Sequence, residues 1–437
     1  MSGENPPPVG PVSGFGFWKC WAMSAGVMIG SGVFLLPAVL APYGAISFLG
    51  WLLSSFGAIF IALTLGRLAG RKAESGGFYV YARDAFGGLA GYLMGWSYWL
   101  SSVFAISAIS IAFAGYAGAV IPGLAANKAG QAATAIAIVW LLTSVNIRGV
   151  SAAASAQLAT AVLKIAPLLV ISALGLFAGD GANVPPFNPQ GAAPLEAIAS
   201  TALLTMWAFI GIEAGVIPAG EIVDARRTIP RAVIAATLSV AAIYIAATAA
   251  VMLLVPTQTL IASEAPFVDA AARLGAIGGP MIALGAIIST AGALNGTIMM
   301  AGQMPAAAAR DGLAPARFGR VNAGHAPVDS LILSSGLGTF FIAFNYSEGL
   351  LAAFTFLISM STLSSLLPYA VSALAEIKHS ARKAPGWAGI ALVALAFAIV
   401  AMAGAGFRTL AWGAALIALG APAYFAGRHI ARRQAAG

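Results

Sequence analysis

The amino-acid sequence predicts an all-α membrane protein with twelve transmembrane helices. Three observations predict it. Of the 437 residues, 60% are hydrophobic and only 8% charged, where a soluble protein carries roughly a quarter charged residues. Mean hydropathy is +0.91. The apolar residues fall in runs of about 20, enough to cross a bilayer as helix, and not in the alternating segments of roughly ten that barrel strands need. Because the hydrocarbon core holds no water, each spanning segment must satisfy its own backbone, and helices do.

In chain order the runs are 17–40, 46–66, 86–121, 129–147, 153–177, 197–218, 232–255, 275–304, 330–345, 350–374, 386–404 and 410–425. Residues 1–16 are polar and Pro-rich without a basic n-region, so a cytosolic tail is expected there and not a cleaved signal. The loops between even and odd runs carry Arg67, Arg71, Lys72, Arg83, Arg148, Arg226, Arg227, Arg231, Arg310, Arg317, Arg320, Lys378, Arg382 and Lys383. The opposite loops carry only Lys128, Arg273 and Arg408. Lys and Arg excess marks the cytoplasmic side. Both termini are therefore expected in the cytoplasm, in a multi-pass protein of the cell inner membrane.

The net charge of +8 is scattered through these loops and forms no continuous basic patch, so no nucleic-acid partner is expected. Cys20 is the single cysteine and has no partner for a disulfide or a metal site. His325, His379 and His429 fall in loops or the tail, and neither an HExxH nor a Ser/His/Asp arrangement occurs. No enzyme, cofactor or metal is expected.

Two runs are interrupted near mid-depth by small residues. The first reads through Gly26, Val27, Met28, Ile29, Gly30, Ser31 and Gly32; the sixth through Trp207, Ala208, Phe209, Ile210 and Gly211. Paired broken helices at matching places in two halves point to the binding site of an inverted-repeat transporter. The same small residues would also serve close helix packing. Free N–H groups where the outer half-helix restarts after Gly30-Ser31-Gly32 suit a carboxylate, and carbonyls freed from Ala208 to Gly211, with Ile210 between, suit an ammonium. Lys164 and Glu213 are the ionisable residues well inside spans, and a lipid-facing charge costs about 2.5 to 3.5 kcal/mol even on the lenient insertion scale. Each should face the interior. Glu213 reads as a gating carboxyl or as a satisfied polar residue near a helix end; Lys164 reads as a fixed structural cation or as a proton carrier.

The stretches Gly30 to Ala38, Ser75 to Arg83 and Trp207 to Glu213, with Ala301-Gly302-Gln303, Asp311-Gly312-Leu313 and Pro368-Tyr369, in combination resemble the amino acid/polyamine/organocation superfamily. Within it they resemble the arginine/agmatine antiporter branch of basic amino acid and polyamine exchangers. The resemblance covers residues 17–374. It implies a five-plus-five inverted-repeat fold of the LeuT type, with repeats at 17–178 and 179–375 and with helices eleven and twelve plus a cytosolic tail at 376–437. It implies that Ser31 and Gly32 hold the substrate carboxylate, that Trp207 closes over the substrate, that Tyr98, Glu213 and Tyr369 form an inner gate, and that Ser361 lies beside the substrate. Taken alone, Trp207 would be packing and Tyr98 an interface aromatic.

Val27, Ile106 and Thr297 depart from that branch, standing where it has two asparagines and a stacking tryptophan that grip a guanidinium. Lys164 departs too, and resembles superfamily members in which a lysine substitutes for a sodium ion. The implied activity is exchange of an amino acid for its amine product or another amino acid by alternating access. The alternative is proton-coupled, sodium-independent amino acid uptake. A homodimer is also implied.

Overall fold

The computed structural model describes residues 16–30, 32–71, 78–148, 164–215, 224–345 and 349–436. Every regular element among them is helical. Nine described helices are long and apolar enough to cross a membrane, beginning with Ser47–Ala69 and Gly88–Gly118 and ending with Pro385–Ala403 and Gly406–His429. A bent pair, Cys20–Met28 and Gly32–Tyr43 meeting at 47°, passes the same test together, and Ala166–Ala178 and Pro194–Phe209 are shorter apolar helices.

In order the helices are α1 Phe17–Met28, α2 Gly32–Leu40, α3 Ser47–Ala69, α4 Phe78–Phe86, α5 Gly88–Gly118, α6 Lys128–Ile147, α7 Ala166–Ala178, α8 Pro194–Met206 and α9 Ala225–Leu254. They continue as α10 Thr257–Ile261, α11 Pro266–Ala270, α12 Gly278–Arg310, α13 Val328–Asn345, α14 Leu350–Ser380, α15 Pro385–Ala403, α16 Gly406–Ala418 and α17 Gly420–Ala436.

The expected spans and these helices differ in instructive places. The run at 17–40 is two helices, and the run at 197–218 ends as α-helix at Met206. The run at 410–425 is interrupted at Leu419 between α16 and α17, and helix continues to Ala436 where a tail was expected. Gly427 explains part of that extension: a Cβ there would run into the Leu313 backbone, so the lack of a side chain lets α17 lie on the loop after α12. Helices α4, α10 and α11 are too short to register as spans. Of the run at 153–177, residues 153–163 lie outside the described residues.

Lipid tails are as apolar as leucine, so helices here associate through close packing and interhelical hydrogen bonds and not through a hydrophobic drive. The sequence supplies both. Along the α5–α14 seam, Ser97 donates to the Ser364 carbonyl at 2.7 Å, Ser361 to the Ser101 carbonyl at 2.8 Å, and the Ser101 and Ser365 hydroxyls pair at 2.5 Å. Between α3 and α8, Thr205 donates to Ser54 at 2.9 Å, and Gly50 lies against Thr201 where any Cβ would clash. Interhelical bonds of this kind average about 0.6 kcal/mol each. Helix α2 is wholly buried and α5 and α14 are mostly so, while Leu176, Phe177, Phe344, Leu392 and Phe407 point outward from peripheral helices. The centre of the bundle is thus α1–α2, α5, α14 and the segment after α8.

Candidate functional site

Two backbone breaks face each other at that centre. Helix α1 ends at Met28; Ile29 turns extended at ψ 91° with its N–H bonded to the Ala25 carbonyl, and the Met28 carbonyl accepts the Tyr244 hydroxyl at 2.7 Å. Helix α8 ends at Met206, tightens to a 3₁₀ turn over Trp207–Phe209, becomes extended at Ile210, and passes through Gly211 at φ 108°. Glycine is needed there twice over. Positive φ excludes most side chains, and a Cβ on Gly211 would stand 2.6 Å from Val27 Cγ1. On the other side, a Cβ on Gly32 would stand 3.1 Å from the Ala208 Cα. The two breaks therefore interlock through glycines.

Between them lies a cavity of about 150 Å³ lined by Val27, Met28, Gly30, Gly32, Tyr98, Ser101, Ser102, Ala105, Ile109, Trp207, Ile210, Gly211, Ala293, Gly296, Thr297, Met299 and Met300. Half-helix ends carry partial charge, positive at the amino end of α2 and negative at the carboxyl ends of α1 and α8. A zwitterion is matched by such a set. The rest of the lining is hydroxyl, aliphatic and thioether, with the aromatic rings of Tyr98 and Trp207.

Next to Tyr98 sits Glu213, 4% exposed. Tyr98 donates to its Oε1 at 2.5 Å, Tyr369 to its Oε2 at 2.8 Å, and the Gly211 N–H to Oε2 at 3.2 Å. Phe78 covers both phenols, its ring centroid 5.0 Å from that of Tyr98 and 5.4 Å from that of Tyr369. Phe78 was not singled out from sequence, because it belongs to the short helix α4; its one signal was membership of the Ser75 to Arg83 motif.

Of the residues picked out from sequence, Gly30, Gly32, Trp207, Ile210, Thr297 and Tyr98 line the cavity. Ser31 lies outside the described residues. Ala208 is buried against Gly32 and outside that lining. Ser361 was expected beside a substrate, but it stands one layer back, fully buried and bonded to Ser101. Ser101, which faces the cavity, uses its carbonyl and hydroxyl to hold it there. Lys164 is 1% exposed just ahead of α7 and is also outside the cavity lining.

Over residues 15–424 the chain matches the amino acid permease family. The chain belongs to that family. It sits in the basic amino acid and polyamine antiporter branch of the amino acid/polyamine/organocation superfamily and is a transporter, not an enzyme. This permease is 32% identical to a putative arginine/ornithine antiporter of Bacillus subtilis over 83% of its own chain and 84% of the relative. It is 31% identical to a cadaverine/lysine antiporter of Escherichia coli, covering 83% of each. It is 29% identical to the putrescine transporter PotE of Haemophilus influenzae, covering 90% of the permease and 92% of the relative.

Proposed function

We propose that this permease exchanges an amino acid for its amine product, or for a second amino acid, by alternating access across the cell inner membrane. The observation that carries the reading is the pair of facing backbone breaks with the Tyr98–Glu213–Tyr369 cluster beside them. The breaks offer opposite partial charges to the two ends of a zwitterion, and the cluster is a hydrogen-bonded closure that an arriving cation would disturb. The relatives support amine exchange: one is a cadaverine/lysine antiporter and another a putrescine transporter.

The full architecture in this reading has twelve spans with the bent pair as the first, five-plus-five inverted repeats of the LeuT type, and both termini in the cytoplasm. The protein works as a homodimer. Backbone N–H groups around Ser31 and Gly32 take the carboxylate; carbonyls from Ala208 to Gly211 take the α-ammonium; Trp207 closes the cavity and Thr297 meets the side chain. Proton movement accompanies transport through Glu213.

Proteoliposomes test the exchange. Radiolabelled lysine, ornithine or arginine should enter vesicles loaded with cadaverine, putrescine or agmatine and not enter empty ones. Equal uptake into empty vesicles driven by an imposed pH gradient would instead establish proton-coupled uptake, a reading favoured by the buried Lys164 and the largely apolar cavity wall.

A further inference from the structure

The Trp207 indole N–H is a donor with no hydrogen-bond partner among the described residues, on a side chain that is 5% exposed and forms part of the cavity wall. Trp51 also has an unpartnered indole N–H, but it is fully buried among Phe209 and Tyr244, away from the cavity lining. What separates the two is what each faces. A Cβ on Gly32 would stand 3.3 Å from both Nε1 and Cδ1 of Trp207. The N–H edge of the indole therefore lies against the first residue of α2, where a side chain on Gly32 would crowd it.

The amino end of a helix offers N–H groups that have no intrahelical acceptor, together with the positive end of the dipole. Helix α2 runs nine residues from Gly32, all of them buried, so water does not compete along its length. Donors of two independent origins, backbone and indole, thus converge on one place. An ammonium cannot satisfy them, since it has no acceptor. A carboxylate, with about four lone-pair sites on two oxygens, can accept from both.

We infer that the Trp207 Nε1–H donates a hydrogen bond to the carboxylate of an amino-acid substrate seated at the amino end of α2, and that this bond is the element favouring an amino acid over the amine left by its decarboxylation. The inference rests on the exchange reading above for its substrates. It adds to Trp207, beyond a ring that closes the cavity, a donor that reads one end of the substrate. The amine leaves that N–H unpaired, so the two exchanged species meet the same wall on unequal terms.

Trp207→Phe keeps a flat aromatic ring and deletes the N–H. Affinities of purified wild type and variant are measured by titration calorimetry for lysine, lysinamide and cadaverine, and again for ornithine and putrescine. The expected result is that the wild type prefers the amino acid over its carboxamide and amine, and that this preference shrinks about tenfold or more in Trp207→Phe, the scale of losing one hydrogen bond to a charged group. An equal fall in affinity for all ligands would assign Trp207 to packing alone and overturn the inference. An unchanged preference would do the same. A wild type that binds amino acids but neither amine contradicts amine exchange while leaving the carboxamide comparison decisive here; a wild type that binds no amino acid sinks both readings. Should the variant not fold, the nine indole N–H resonances of ¹⁵N-tryptophan wild type carry the test. One resonance moving downfield with lysine, less with lysinamide, whose amide oxygen is the weaker acceptor, and not with cadaverine supports the inference, and a like response to lysine and cadaverine overturns it.

Discussion

Tyr98 and Glu213 lie 115 positions apart in the chain and meet at 2.5 Å, the phenol donating to the carboxyl where α5 passes the broken segment after α8. Tyr369 of α14 closes the other oxygen at 2.8 Å. Three elements are thereby fastened at one carboxyl group. Both carboxyl oxygens are thus engaged from two further helices, which ties α5 and α14 to the broken segment at a single side chain.

From this geometry Glu213→Gln is expected to keep the fold and slow exchange at least tenfold, because an amide offers one acceptor oxygen where the two phenols and the Gly211 N–H now share two. The pH dependence of exchange should flatten in the same variant. Initial rates in proteoliposomes across pH 5 to 8 check both. A wild-type rate and profile would leave Glu213 as a satisfied buried carboxyl with no part in gating.

Transport is expected to proceed without sodium. Lys164 is a buried side chain just ahead of α7, an amine already resident in the interior. Uptake with sodium replaced by choline should be unchanged in the wild type and lost in Lys164→Ala. A strict sodium requirement in the wild type would contradict this.

The sequence made much of this legible, and for identifiable reasons. Length and hydropathy reveal spans because the bilayer sets a single thickness, and the small-residue stretches around Gly30 and Gly211 marked both breaks because a broken helix at mid-depth needs such residues. Glu213 stood out since a carboxyl within a span must have partners. What stayed hidden depends on depth and direction. Phe78 lies in a nine-residue helix with no span-length signal, and Ser361 was placed beside the substrate because no pattern in α14 says that its hydroxyl turns to Ser101 and not to the cavity. The Trp207 N–H could be seen as a donor only once Gly32 was found beneath it.

Topology is open to direct labelling, since Cys20 is the only cysteine and is buried. Asp180 and Arg310 are exposed at the ends of α7 and α12. In intact cells an impermeant maleimide should label Asp180→Cys and leave Arg310→Cys unlabelled until the membrane is opened. The reverse pattern would invert the assigned orientation.

The last prediction concerns stability and the end of the bundle assigned to the cytoplasm. Arg71, just past α3, donates to Glu376 Oε1 at 2.9 Å and to Ser380 at 2.6 Å, and Ser380 donates to the same carboxyl oxygen at 2.6 Å. Glu376 is fully buried, whereas the Arg71 side chain is 30% exposed. Removing one partner of a fully buried pair costs about 3 to 5 kcal/mol, because the remaining charge is left in a poor dielectric. With Arg71 partly in water the cost of Arg71→Ala should be smaller, about 2 kcal/mol. Glu376 Oε2 has no partner among the described residues, so the carboxyl is already incompletely satisfied and has little in reserve. Replacing both charges is a different matter: Arg71→Met with Glu376→Leu removes the buried charge together with its counterion, and such swaps are often neutral. Unfolding in mixed micelles by increasing SDS should therefore show the single variant destabilised and the double variant returned most of the way to wild type. Equal destabilisation of single and double variants would show that the pair holds α3 to α14 through its specific hydrogen bonds, and that charge burial is not what sets the cost.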